Sequence, residues 1–155
     1  MAGVSMVASA LDPLDASVRD LPRLGTALDG KLDIRTAPGV VVLVLRGEHD
    51  LWTHPRLRAT IDAALAAGMS VVMDLSEVEF IDSTVLAEIL HGQRRATDGD
   101  GGRGRGLAVV ASPGARFVAR MLSLVHIDDH VAVHLSRDSA VVSLQRAGQA
   151  VEATT

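Results

Sequence analysis

Four strand-length apolar runs, each followed by a helical pattern, constrain the fold more than any other feature of this 155-residue chain. The runs are Val40 to Arg46, Val71 to Leu75, Leu107 to Val110 and Val131 to Leu135. A further segment, Leu32 to Arg35, alternates apolar and polar residues as an edge strand does. Strands that alternate with helices predict a mostly parallel sheet, because parallel neighbours need a crossover connection. We therefore expect a single α/β domain, with a mostly parallel or mixed sheet of about five strands and about four helices packed on it.

The composition is typical of a globular domain with an aliphatic core. Apolar residues make up 48% of the chain, whereas Trp52, Phe80 and Phe117 are its only aromatic residues. The formal net charge of -4 argues against a nucleic-acid partner, because a general nucleic-acid binder needs a basic surface. The chain has no Cys, which excludes disulfides, thiolate metal sites and Cys nucleophiles. No apolar run reaches membrane-spanning length and the N-terminus lacks the basic region of a signal peptide, so we expect a cytoplasmic protein without membrane insertion.

Cap and turn residues predict where the later helices begin and end. Ser112 and Pro113 have the pattern of an N-cap followed by a first-position proline. Ser136 is expected to cap the last helix and Gly148 to end it. The predicted organisation is an N-terminal tail over residues 1–30, a folded domain over 31–148 and a C-terminal tail over 149–155.

The stretch from Val71 to Leu90, VVMDLSEVEFIDSTVLAEIL, carries the candidate functional site. It has the pattern of a buried strand, a short connection, and a turn that puts Asp82, Ser83 and Thr84 at the start of an amphipathic helix. A helix N-terminus favours negative charge, so a phosphate on Ser83 would gain hydrogen-bond donors while lying beside the Asp82 carboxylate. Two interpretations stay open from the residues alone: Ser83 is a helix cap, or Ser83 is a phosphorylation switch.

Catalytic and metal-binding interpretations lack the further residues that they need. A strand–turn–helix setting for Ser83 is that of a nucleophile elbow, but G-x-S-x-G is absent and no pattern places a His base beside it. His126, His130 and His134 lie four apart, yet the last pair falls at a predicted strand, where this spacing does not chelate. No glycine-rich nucleotide motif is visible. We predict no catalytic residue, no metal site, no cofactor and no enzymatic activity.

Two sequence motifs, taken together, are fairly specific for one protein family. The first is VLRGEHD at residues 44–50, and the second is VMDLSEVEFIDST at residues 72–84. Pro55-x-Leu57 and Ser112-Pro113 support them. With these motifs the chain, over about residues 32 to 147, resembles the STAS-domain family, and specifically its bacterial anti-sigma factor antagonists.

The resemblance implies a small STAS-like domain that acts by binding in partner-switching control of transcription and stress responses. In that family, the Ser that follows the Asp is phosphorylated by an anti-sigma factor that is also a serine kinase, which corresponds to Ser83, with Thr84 as a second candidate. The unphosphorylated antagonist binds the anti-sigma factor and frees a sigma factor, and a phosphatase resets the phosphorylated form. The partner-binding residues that it implies are Glu48, Asp50, Asp82, Ser83, Thr84, Val85 and Glu88.

One position departs from the family pattern. Gly usually follows the Asp-Ser-Thr sequence, where this chain has Val85, which adds a β-branched side chain in the first helical turn. This departure favours an alternative function: a STAS interaction or scaffold module of a stress-signalling or transport complex that is not switched by phosphorylation.

Overall fold

The structure is a computed structural model that describes residues 32–49, 54–98 and 105–154. Within these ranges the strands and helices follow the predicted order, and the predicted α/β fold class is confirmed. The N-terminal tail predicted over residues 1–30 lies outside them. The strands are β1 (Leu32–Ala37), β2 (Val40–His49), β3 (Ser70–Ile81), β4 (Leu107–Val110) and β5 (Ala132–His134). The helices are α1 (His54–Ala66), α2 (Ser83–Asp98), α3 (Arg116–Leu124) and α4 (Arg137–Thr154), with a 3-10 turn over Ile127–Asp129.

The five strands form one mixed sheet in the order β1-β2-β3-β4-β5. β1 and β2 are antiparallel and joined by a tight turn in which Gly39 has a φ of 71°, a conformation that suits glycine. The pairs β2–β3, β3–β4 and β4–β5 are parallel, each connected through a helix. The parallel strand ends therefore gather at one edge of the sheet, where functional groups collect in open α/β folds.

The core has two layers, one on each face of the sheet. Alternate residues of β2 separate onto these faces because strand side chains have a period of two. One layer joins the sheet to α1, α2 and α3, and the other joins it to α4. The first layer includes Val41, Leu43, Met73, Ile61, Val85, Ile89, Val118 and Leu122. The second includes Val40, Val42, Val44, Val72, Ala108, Ala140, Val141 and Leu144.

A partly buried ion pair holds the start of α4 against β3. Asp74 is only 4% exposed and lies on the face that α4 covers. Arg137 donates from Nε and from a terminal nitrogen to Asp74 Oδ2, at 3.0 and 2.9 Å. The Ser76 N–H donates to the other carboxylate oxygen at 3.0 Å. Every oxygen of this buried carboxylate therefore has a donor, as a buried charge requires.

β3 is longer than the sequence predicts. Instead of ending at Leu75 before a short connection, it continues to Ile81 and stays paired with β2. Two irregularities in the pairing each add one residue to β3, and Gly47 in β2 has a φ of 72°. Such bulges bend and twist a strand pair while its pairing continues. The result is a two-stranded extension that ends directly before Asp82.

The predicted limits of α3 and α4 need two corrections. α3 begins at Arg116, so Ser112 is not its N-cap; the Ala115 N–H instead donates to the Ser112 carbonyl at 2.9 Å and closes a turn that contains Pro113. Ser136 does cap α4, since its hydroxyl accepts from the Ser139 N–H at 3.2 Å. Gly148 does not end α4, which continues to Thr154 through part of the predicted C-terminal tail. A glycine inside a helix costs only about 1 kcal/mol, so it does not force a stop.

Candidate functional site

The site is built where the β2–β3 extension meets the first turn of α2. α2 begins at Ser83, and the Leu86 N–H donates to the Asp82 carbonyl at 3.4 Å. Asp82 Oδ1 accepts from the Thr84 N–H at 3.0 Å, from the Val85 N–H at 3.4 Å and from the Thr84 hydroxyl. These bonds are those of an N-cap residue. The cap is therefore Asp82, and the interpretation of Ser83 as the cap is wrong.

The Ser83 side chain is exposed and takes no part in capping α2. It makes no hydrogen bond to any of the described residues. By contrast, the neighbouring hydroxyl of Thr84 is half-buried and bonded to Asp82. The two hydroxyls of this turn therefore differ in exposure and in hydrogen bonding. A modifying enzyme can reach the Ser83 oxygen without breaking the cap, whereas modification of Thr84 breaks one of its bonds.

Asp82 brings a fixed negative charge next to Ser83. Burial raises the pKa of its carboxyl, but the hydrogen bonds from the Thr84 hydroxyl and from the N–H groups of Val85 and Thr84 together outweigh burial. The net result is a lowered pKa, so Asp82 is ionised at neutral pH. Because Asp82 already occupies two N–H groups of the helix end, a phosphate on Ser83 gains fewer donors there than the sequence predicts.

Val85 and Glu88 have their side chains in the interior. Both are 0% exposed, and Val85 belongs to the core layer beneath α2. The Glu88 carboxylate accepts from Arg58 Nε at 3.1 and 3.0 Å, which joins α2 to α1. The pKa of Arg58 is raised by this hydrogen bond and by the charge of Glu88. In this conformation the two buried side chains would influence a partner only through the position of α2.

The register of the strand extension brings the end of β2 to the same turn. Glu48 pairs with Phe80, and His49 pairs with Ile81, directly before Asp82. The backbone of the Gly-Glu-His segment therefore runs beside the residues that lead into α2. The side chain of Glu48 and the whole of Asp50 lie outside what the structure describes, so their predicted role in partner binding stays a prediction.

Sequence reasoning missed an exposed aromatic pair beside the site. Phe80 and Phe117 are 43% and 49% exposed, and their rings stack with centroids 6.0 Å apart. The helical pattern groups Phe117 with the apolar face of α3, but Val118 and Leu122 are the residues that this helix buries. The available signal was that these are the only two Phe residues in the chain. Their position links β3, two residues before Asp82, to α3.

The His residues of the chain's C-terminal third do not converge on a site. His126 and His130 are exposed, and His134 Nδ1 lies 3.0 Å from the Ser139 hydroxyl. Among the described residues no group of three metal-ligating side chains is present. Nor does any helix in the described part of the chain have the length and apolarity needed to cross a membrane.

Comparisons with known proteins agree with the geometry of the fold. The family described as "Mlab, STAS domain" matches residues 32–142. A solved anti-sigma factor antagonist from Mycobacterium paratuberculosis is 28% identical, with a TM-score of 0.62, over 74% of this chain and 92% of that one. The unphosphorylated anti-sigma factor antagonist SpoIIAA is 18% identical, with a TM-score of 0.58, over 74% and 96% of the two chains. The phosphorylated form of Bacillus SpoIIAA is 16% identical, with a TM-score of 0.52, over 73% and 98%. No curated protein sequence matches the chain.

The family match covers most of the chain, and the chain therefore belongs to the STAS-domain family. Within that family it is similar to the anti-sigma factor antagonists, as the mycobacterial structure illustrates. The two SpoIIAA structures are less than 25% identical to this chain, so they show only that the fold is the same.

Proposed function

We propose that this protein is an anti-sigma factor antagonist whose binding is switched by phosphorylation of Ser83. The unphosphorylated form binds an anti-sigma factor that is also a serine kinase, and this binding releases a sigma factor. The kinase then phosphorylates Ser83 and the complex dissociates, and a phosphatase restores the binding form. The protein itself carries out no catalysis. The observation that carries the proposal is the exposed, unbonded hydroxyl of Ser83 beside a capping Asp82.

The charge balance of the turn explains why a phosphate would act as an off switch. A phosphoserine adds nearly two negative charges at neutral pH. The Asp82 carboxylate beside it is held in its charged form, and its cap bonds take up the N–H groups of Thr84 and Val85. Inside a partner interface, this repulsion and the cost of removing water from the phosphate oppose binding. A change of about 3 kcal/mol weakens binding roughly a hundredfold.

The structure bears on the alternative of a scaffold module that phosphorylation does not switch. That alternative is favoured in the sequence by Val85, which stands where the family has glycine and adds a side chain to the first turn of α2. The side chain is instead fully buried in the core layer beneath α2. It does not stand between Ser83 and the surface, so the departure from the family glycine leaves the approach to Ser83 open.

The two functions differ in how binding responds to charge at Ser83. The unphosphorylated protein is used as bait in an extract of its native host, and the captured partner is purified. We expect this partner to transfer phosphate from ATP to the wild type and not to Ser83→Ala. Ser83→Asp should bind it at least about tenfold more weakly, since even a single carboxylate adds repulsion beside Asp82. Ser143→Asp, which places the same charge at an exposed position of α4 on the opposite face of the sheet from α2, is the matched control and should bind normally. Equal binding of Ser83→Asp and wild type would favour the scaffold function.

A further inference from the structure

The two edges of the described sheet are unequal. β5 has only three residues, a length that by itself discourages pairing with another chain. β1 has six residues in continuous register with β2, with neither a bulge nor a proline. Among the described residues, no segment pairs with its outer side. An edge of this kind presents a row of unpaired N–H and C=O groups that can template a further strand.

The charges on β1 are arranged symmetrically about Ile34. Asp33 and Arg35 point to one face of the sheet, with side chains 40% and 51% exposed, and within the strand Arg35 Nε donates to Asp33 Oδ2 at 2.9 Å. A two-fold axis through Ile34 would pair two copies of β1 antiparallel, with Asp33 of each copy opposite Arg35 of the other. Directly opposite side chains of this kind interact favourably across strands. The neighbouring symmetric registers, centred on Asp33 or on Arg35, place like charges opposite each other and are disfavoured.

We propose that β1 is a dimerisation edge, and that its occupant is the β1 strand of a second copy of this chain in the register centred on Ile34. The two five-stranded sheets then become continuous. Hydrogen bonds between the edges supply the contact, and the two Asp33–Arg35 pairs select its register. Self-complementarity of this kind is what a closed two-fold interface requires.

The dimer leaves the Ser83 turns available. The two-fold axis reverses strand direction, so the ends of β3 in the two copies lie at opposite ends of the joined sheet. Each Ser83 turn is also separated from the interface by β1 and β2 of its own copy. The proposal therefore stands apart from the phosphorylation switch, and either can fail without the other.

Charge exchange on β1 tests the proposal directly. The full-length protein, unphosphorylated, is studied by sedimentation equilibrium across micromolar to submillimolar concentrations. The wild type should approach about 32 kDa, twice the 16.2 kDa of one chain. Asp33→Lys and Arg35→Glu each put like charges opposite each other at two places, and should weaken the dimer roughly tenfold or more. An equimolar mixture of the two single variants puts opposite charges across the axis at both places while like charges remain within each strand, so the mixture should recover a dimer.

Glu79→Lys is the matched control, because it makes the same charge change at an exposed residue of β3, a strand two places from the edge. Its dimer should be unchanged, and circular dichroism should show every variant folded. A wild type that stays at 16.2 kDa throughout overturns the proposal. So does a dimer that neither single substitution weakens, or one that the mixture of the two single variants fails to restore, since another surface would then be responsible.

Discussion

Replacing Asp82 should destabilise the domain by an amount that the cap geometry sets. A single oxygen, Oδ1, accepts from the N–H groups of Thr84 and Val85 and from the Thr84 hydroxyl. Truncation of an N-cap to Ala costs about 1 kcal/mol and at most about 2. Loss of the negative charge at the helix end adds about 0.3–1 kcal/mol. We therefore expect Asp82→Ala to lower the free energy of unfolding by about 2 kcal/mol.

Asp82→Asn separates the cap from the charge. Asn is as good an N-cap as Asp, so this variant should lose only the charge contribution, about 0.5 kcal/mol. Urea unfolding at neutral pH, read as a shift of midpoint at constant slope, measures both variants.

The pH dependence gives a second test of the same cap. Because the pKa of Asp82 is lowered by folding, its ionised form stabilises the protein at pH values above the ordinary value of 3.8. That stabilisation is lost as the pH falls through the lowered pKa of the folded state. The difference between wild type and Asp82→Asn should therefore shrink on acidification. An Asp82→Ala protein as stable as wild type, or a difference that grows in acid, would refute the cap.

Substitutions at three further positions test the fold, each by urea unfolding. Arg137→Met leaves the Asp74 carboxylate buried with one donor and should cost about 3 kcal/mol, with Arg137→Lys costing less; a loss below about 1 kcal/mol would contradict the pairing. Val85→Ala removes buried methyl groups from α2 and should cost about 2 kcal/mol, whereas a neutral effect would mean that the side chain is not in the core. His126 has a left-handed φ of 54° after α3, so His126→Gly should stabilise by about 0.5–1 kcal/mol; destabilisation would argue against that conformation.

The element order and the sheet could be predicted because the strands are apolar runs and the helices have a different period. The length of β3 could not, because Glu77 and Glu79 interrupt its apolar run. Those residues belong to β3 because its bulged pairing with β2 continues beyond Leu75. A pairing between segments that are distant in the sequence leaves no local signal. The start predicted for α3 was wrong for a related reason: Ser112-Pro113 suits a turn as well as a helix start.

The sequence predicts where the turn of the candidate site lies, but not which of its residues caps α2. Asp, Ser and Thr are all good caps, so their order does not say which one performs that role. The structure assigns it to Asp82, and this leaves Ser83 exposed. The sequence also does not show that Arg58, an exposed residue, pairs with the buried Glu88, because the two residues lie 30 positions apart.

The most direct measurement is the intact mass of the protein isolated from its native host during growth and under stress, with fragment mapping of any added phosphate. We expect one phosphate, on Ser83, in a fraction of the protein that changes between the two conditions. Ser83 unmodified in both conditions would contradict the switch. Phosphate on Thr84 instead would contradict it as well, because the Thr84 hydroxyl is bonded to Asp82.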